Sequence, residues 1–118
     1  MGANIKLTAE DGHQLGAYVA ESTGAALGAV VVVQEIFGVN RHIRSVADDY
    51  ANQGFWAVAP ALFDRVEPEL ELGYNSADAS RGMKIANEIG MGNALKDVAA
   101  AITHAGNALR GKKVGVVG

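Results

Sequence analysis

The sequence predicts an α/β fold in which parallel strands carry helices on both faces and an antiparallel hairpin closes one edge of the sheet. Three patterns point to it. Two short apolar runs, residues 29–33 and 55–59, are continuous rather than alternating, which marks strands covered on both faces, as in a parallel sheet. A stretch with apolar residues at helical spacing lies between them, so strand, helix and strand form a right-handed βαβ unit. The first twenty residues instead alternate with period two about Asp11-Gly12, the pattern of a half-buried hairpin.

Each element follows from its residues. Ile5, Leu7 and Ala9 share one face of the first strand, with Lys6 and Thr8 on the other. Gly12 supplies a turn with positive φ at no steric cost, and Leu15, Ala17 and Val19 resume the alternation. Residues 21–28 read as a loop. The run at 29–33 holds four valines and ends at Gln34-Glu35. Asn40 is the expected N-cap of the next helix, whose inner face is Ile43, Val46, Ala47, Tyr50 and Ala51. Gly54 stands where a left-handed, helix-ending residue belongs. Pro60 has no N–H to donate and closes the second buried strand.

From residue 61 to residue 75 the periodicity lapses for fifteen residues. Loops of that length are uncommon in compact domains and often functional. Ser76 or Asp78 is expected to cap a helix running to about Ile89, broken by Gly90-Met91-Gly92. The helix that follows is expected to bury Leu95, Val98, Ala99, Ile102, Ala105 and Leu109. Val114 to Val117 is a third buried strand, and Gly118 is the last residue.

Composition excludes several classes of function. The 118 residues suit one domain. A net charge of −3, with Lys and Arg scattered, leaves no basic footprint for nucleic acid or an anionic membrane. Without cysteine there is neither a disulfide framework nor a thiolate metal site. The amino terminus lacks the charged-then-apolar order of a signal peptide, and no apolar run nears the roughly 20 residues that span a bilayer. A soluble, cytoplasmic protein is expected. The acidic residues Asp64, Glu67, Glu69 and Glu71 lack the spacing of a cation loop. Val114-Gly-Val-Val-Gly opens like a dinucleotide fingerprint but has no following helix. Neither a metal nor a cofactor is expected.

Two segments carry a family resemblance. Residues 31–40, Val-Val-Val-Gln-Glu-Ile-Phe-Gly-Val-Asn, precede the helix from Arg41 and then Ala57-Val-Ala-Pro-Ala-Leu-Phe. Gly111-Lys-Lys-Val-Gly-Val-Val-Gly is the second. In this order and at about this separation they resemble the dienelactone hydrolase (carboxymethylenebutenolidase) family. The similarity runs along nearly the whole chain. It implies the amino-terminal half of an α/β-hydrolase, with strand order 1-2-4-3-5. It implies that Glu35 lies beside the nucleophile and helps to activate it. The backbone N–H of Ile36 would supply half of the oxyanion hole, and Arg81 would meet a substrate carboxylate. A tyrosine usual one turn after that arginine is replaced here by Ile85.

The same resemblance places the nucleophile just after Gly118, in a Gly-x-(Ser/Cys)-x-Gly turn. None of Ser22, Ser45, Ser76 or Ser80 lies in such a turn, and His13, His42 and His104 read as surface residues. Acyl transfer needs a nucleophile, a base and fixed oxyanion donors together. The expectation is therefore a truncated ester or lactone hydrolase, inactive alone, that would act on a small ester or lactone only when completed. Its partner would be a second copy, or a complementary carboxyl-terminal half, docked on the strand ending at Gly118. The competing reading is a non-catalytic, self-associating α/β module. A flavodoxin-like phosphate binder is disfavoured because no phosphate-cradling glycine loop follows the strand at residues 29–33.

Overall fold

The computed structural model describes residues 2–118. Strands β1 (Gly2–Thr8) and β2 (Gln14–Ala20) form the hairpin, followed by β3 (Ala29–Val32), α1 (Arg41–Asn52) and β4 (Trp56–Pro60). A 3-10 turn (Leu62–Arg65), α2 (Ser76–Ala108) and β5 (Val114–Val117) complete the chain. The five strands lie in the order β1-β2-β4-β3-β5. β1, β2 and β4 pair antiparallel, and β4, β3 and β5 run parallel. The expected order and the edge hairpin are both present.

The two faces of the sheet are covered by different helices. On one, Ala101 and Ala105 of α2 pack on Leu15, Val31, Trp56 and Val58. On the other, Ile43, Ala47 and Ala51 of α1 pack on Val30, Val32, Ala57 and Ala59. Alternate residues of β3 and β4 thus enter opposite cores, which is why neither strand alternates in polarity. Burying each of these valines stabilises the fold by about 1.5–3 kcal/mol. A third cluster, with Phe63, Leu72, Ile85 and Ile89, lies off the sheet against Ile36 and Phe37.

Asn40 caps α1 as expected, its Oδ1 accepting from the Ile43 N–H at 3.1 Å, and Gly54 takes φ +102° just beyond the helix. Strand β5, expected to be buried, has Gly115 and Val116 exposed at the edge of the sheet, and three further readings of the sequence need correction. The N-cap of α2 is Asn75, not Ser76 or Asp78, because Asn75 Oδ1 accepts from the Asp78 N–H at 2.8 Å. The Asp78 carboxylate is turned back instead, accepting from the Gly73 N–H at 2.7 Å. Residues 61–75 are not structureless, since the 3-10 turn places Leu62 and Phe63 in the interior.

The third correction concerns the inner face of α2. The helical run is interrupted only at Gly90, with φ 77° and ψ 158°, and resumes at Met91. Beyond that kink the buried residues are Asp97, Ala101 and Ala105, whereas Leu95 and Ile102 are exposed. The buried stripe is rotated about one residue from the apolar one. Two forces set the rotation. Small alanines let the helix lie close on the sheet, and Asp97 is drawn inside by an arginine partner. Among the described residues no helix is long and apolar enough to cross a membrane.

Candidate functional site

The segment after β3 is the best-anchored irregular stretch of the chain. The Val33 N–H still donates to the Val117 carbonyl at 2.8 Å, extending the β3–β5 ladder by one residue. Gln34 then bridges two loops: its Oε1 accepts from the Leu62 N–H at 2.8 Å and its Nε2 donates to the Glu35 carbonyl at 3.0 Å. Gly38 adopts φ +83°, and a Cβ there would collide with the Leu70 carbonyl oxygen. The Leu72 N–H donates to the Phe37 carbonyl at 2.9 Å. Phe37 meets Tyr74 edge to face at 4.6 Å, and the Tyr74 hydroxyl accepts from Asn40 Nδ2 at 2.9 Å. Residues 34–40 are therefore held from three sides, the pre-organisation that a binding or catalytic wall requires.

Helix α2 supplies a further side. Gly82 is buried where the helix crosses this segment, and any Cβ on it would overlap the Ile36 carbonyl oxygen. With that carbonyl against the helix, the Ile36 N–H has no acceptor among the described residues. Glu35 is exposed, and its carboxylate makes no hydrogen bond or ion pair among them. Next to Glu35 opens a cavity of about 220 Å³, lined by Gln34, Ile36, Phe63, Ile89 and Met91 among others.

Glu35 and Gly118 leave the sheet at the same end. Residues 29–32 of β3 pair in parallel register with residues 114–117 of β5, and a Cβ on Gly118 would lie 3.1 Å from the Val33 Cβ. Whatever follows Gly118 in a longer chain starts beside the residues that precede Glu35. Arg81 lies elsewhere. It is half-exposed on α2, paired with Glu67 at 2.8 Å, and it does not line the cavity. Ile85 is buried in the cluster with Phe63 and Ile89.

The histidines are not all simple surface residues. His42 is exposed, but His104 is half-buried with its ring 5.7 Å from that of Trp56, and His13 is half-buried too. No group of three or more His, Asp or Glu among the described residues is arranged to hold a metal ion. A larger cavity of about 430 Å³ lies toward β2, lined by Tyr18, Arg44, Asp64 and Glu71. There the Tyr18 hydroxyl donates to Asp48 at 2.6 Å. Burial first, and then that carboxylate, raise the Tyr18 pKa above its ordinary value. Arg44 pairs with Glu71 at 3.2 Å, and Asp64 accepts from the Gly16 and Glu69 N–H groups.

Sequence reasoning missed Gly38 and Gly82, whose close contacts shape the wall, and the Asp97–Arg65 pair that docks α2. A glycine inside an otherwise helical pattern at position 82 was the available signal. Nothing in the sequence links Asp97 to Arg65, 32 residues away.

Residues 15–118 match the model of the dienelactone hydrolase family. The chain is 33% identical over 116 residues to the carboxymethylenebutenolidase of Pseudomonas putida, covering 97% of this chain and 49% of that protein. A Synechocystis sp. protein provisionally named carboxymethylenebutenolidase is 35% identical over 108 residues, which are 89% of this chain and 44% of that one. Among solved structures, a Klebsiella pneumoniae protein provisionally described as a dienelactone hydrolase superposes with a TM-score of 0.70 at 25% identity. It covers 98% of this chain and 49% of that one. The chain thus spans about half the length of the curated relatives it matches.

Proposed function

The chain belongs to the dienelactone hydrolase family, and from that premise we propose that it forms the amino-terminal part of a carboxylic-ester or lactone hydrolase. Glu35 and Ile36 form one wall of the site. The observation that carries this reading is the common exit of Glu35 and Gly118 from adjacent parallel strands, because a nucleophile set in a turn after β5 then stands beside the Glu35 carboxylate. In the reaction, the nucleophile attacks the ester carbonyl, and the oxygen that gains the negative charge accepts a hydrogen bond from the Ile36 N–H. Such fixed donors stabilise the transition state by about 3–4 kcal/mol each. The Glu35 carboxylate accepts the nucleophile's proton. Collapse of the tetrahedral intermediate breaks the acyl C–O bond and expels the alcohol, which takes up a proton as it leaves. Water then hydrolyses the acyl group to the acid and restores the nucleophile. Arg81 is the proposed partner of any carboxylate the substrate carries.

The 118 residues contain no serine in a nucleophile turn and no cysteine. We propose that alone they do not hydrolyse esters, and that a complementary carboxyl-terminal half restores the activity. The test is to mix the chain with a separately produced carboxyl-terminal half of a full-length relative and follow release of an aryl alcohol. Activity only in the mixture supports the proposal; a folded but inert mixture overturns it.

A second reading, a self-associating module, is favoured by the open edge of β5. β5 pairs only with β3 among the described strands, and Val116 is 49% exposed. Unpaired backbone groups beside apolar side chains template association. Light scattering at micromolar concentration tests this: a dimer lost in Val116→Lys supports pairing through β5, and a monomer refutes it.

A further inference from the structure

The cavity beside Glu35 has mainly apolar walls. Phe63, Ala86, Ile89, Met91 and Ala94 contribute apolar surface, and the Gly90 kink turns Met91 to the rim, where it is 74% exposed. The only ionisable side chain lining it is that of Glu35, so there is no lysine, arginine or histidine to meet an anion. Arg81, the residue proposed for that task, is outside the lining and already holds Glu67 at 2.8 Å. At about 220 Å³ the space exceeds the roughly 150 Å³ of a dry apolar cavity known to hold benzene.

We infer that this cavity receives a neutral, apolar arm of the ester, an aryl ring or short alkyl chain, and rejects an arm bearing a carboxylate. The inference rests on the hydrolase reading and names its substrate class. Moving a carboxylate into a mainly apolar space that offers it no cation is strongly unfavourable, the Ile36 N–H being taken by the reacting carbonyl, and the carboxylate of Glu35 at the mouth adds repulsion. Methionine at the rim suits the same role, since its unbranched thioether adapts to aromatic and alkyl shapes.

The experiment uses the 118-residue chain with labelled methionine and alanine methyl groups and two probes, methyl benzoate and monomethyl terephthalate. Methyl benzoate is expected to shift the Met91, Ala86 and Ala94 methyl signals saturably and to leave Ala47, on the far face, unmoved. The terephthalate, which adds only a carboxylate, is expected to bind about tenfold more weakly or worse. Ala94→Trp or the milder Ala86→Leu should weaken methyl benzoate binding by filling the space, with an unchanged Ala47 signal reporting an intact fold. Equal or tighter binding of the anionic probe overturns the inference, as does a failure of methyl benzoate to reach these methyl groups. The two readings fail separately. Hydrolysis on complementation without binding at these methyl groups removes only this inference, whereas binding here without hydrolysis removes the catalytic reading.

Discussion

The Arg65 guanidinium grips the fully buried Asp97 carboxylate at two points, Nε to Oδ2 at 2.8 Å and Nη2 to Oδ1 at 2.9 Å. Its remaining edge reaches Asp11, with Nη1 to Oδ2 at 2.9 Å. One cation thus ties the β1–β2 turn, the 3-10 turn after β4 and the second half of α2. It is what admits a carboxylate to the buried stripe of that helix.

Removing Asp97 should cost more than removing an exposed acid. A buried ion pair that loses one member leaves a desolvated charge, at a cost of about 3–5 kcal/mol. Asp11 still faces Arg65 in the variant, so Asp97→Ala is expected at the lower end, about 3 kcal/mol. Asp97→Asn keeps an acceptor and should lose less. Urea midpoints at neutral pH measure both; a loss below about 1 kcal/mol for Asp97→Ala, the range of an exposed pair, would rule out a docking role.

The same cluster gives the fold a defined acid sensitivity. The Arg65 hydrogen bond first, and then the His13 N–H, hold the Asp11 carboxyl at about 2, below its ordinary 3.8. A carboxyl that is more acidic in the folded chain binds protons better in the unfolded one. Its contribution to stability is therefore complete above the unfolded value and lost as pH falls from 3.8 through about 2. The stability difference between the parent and Asp11→Asn should be constant above about pH 5 and shrink across that acidic window. A difference that persists at pH 2, or grows there, contradicts the assignment.

Gly82 and Gly92 make opposite predictions from one substitution. Alanine inside a helix usually stabilises by about 0.5–1 kcal/mol relative to glycine. Gly92 is exposed with nothing near its missing Cβ, so Gly92→Ala should show that gain. At Gly82 the new methyl would meet the Ile36 carbonyl oxygen, and overpacking of this kind costs about 1–3 kcal/mol. Thermal denaturation of the two variants should move the midpoint in opposite directions. A stabilised Gly82→Ala would mean that α2 does not lie so close to the site wall.

The contrast between these glycines marks how far the sequence can be read. The valines of β3 and the Asn40 cap are local signals, as are the Gly54 stop and the Gly90 break, and each stands where its chemistry requires. The strand order and the place of Glu35 came from the family pattern in residues 31–40. What could not be read is non-local. Leu95 and Ile102 look like core by spacing, yet the helix turns them out because Asp97 has a partner 32 residues away. Similarly, the cap of α2 moved to Asn75 once Asp78 turned back to the Gly73 N–H. Competition between polar side chains for the same backbone donors leaves little trace in hydrophobic periodicity.

Glu35 separates structural from chemical importance. Its carboxylate is exposed and pairs with nothing among the described residues, so nothing in the fold depends on it. Glu35→Gln should leave the urea midpoint within about 0.5 kcal/mol of the parent, as for other surface changes. If Glu35 promotes proton loss by a nucleophile beside Gly118, the complemented enzyme should lose about a hundredfold or more in kcat, the range of positioned acid–base groups. A variant that keeps its rate would leave Glu35 a solvated loop residue. The oxyanion role proposed for the Ile36 N–H does not depend on that outcome.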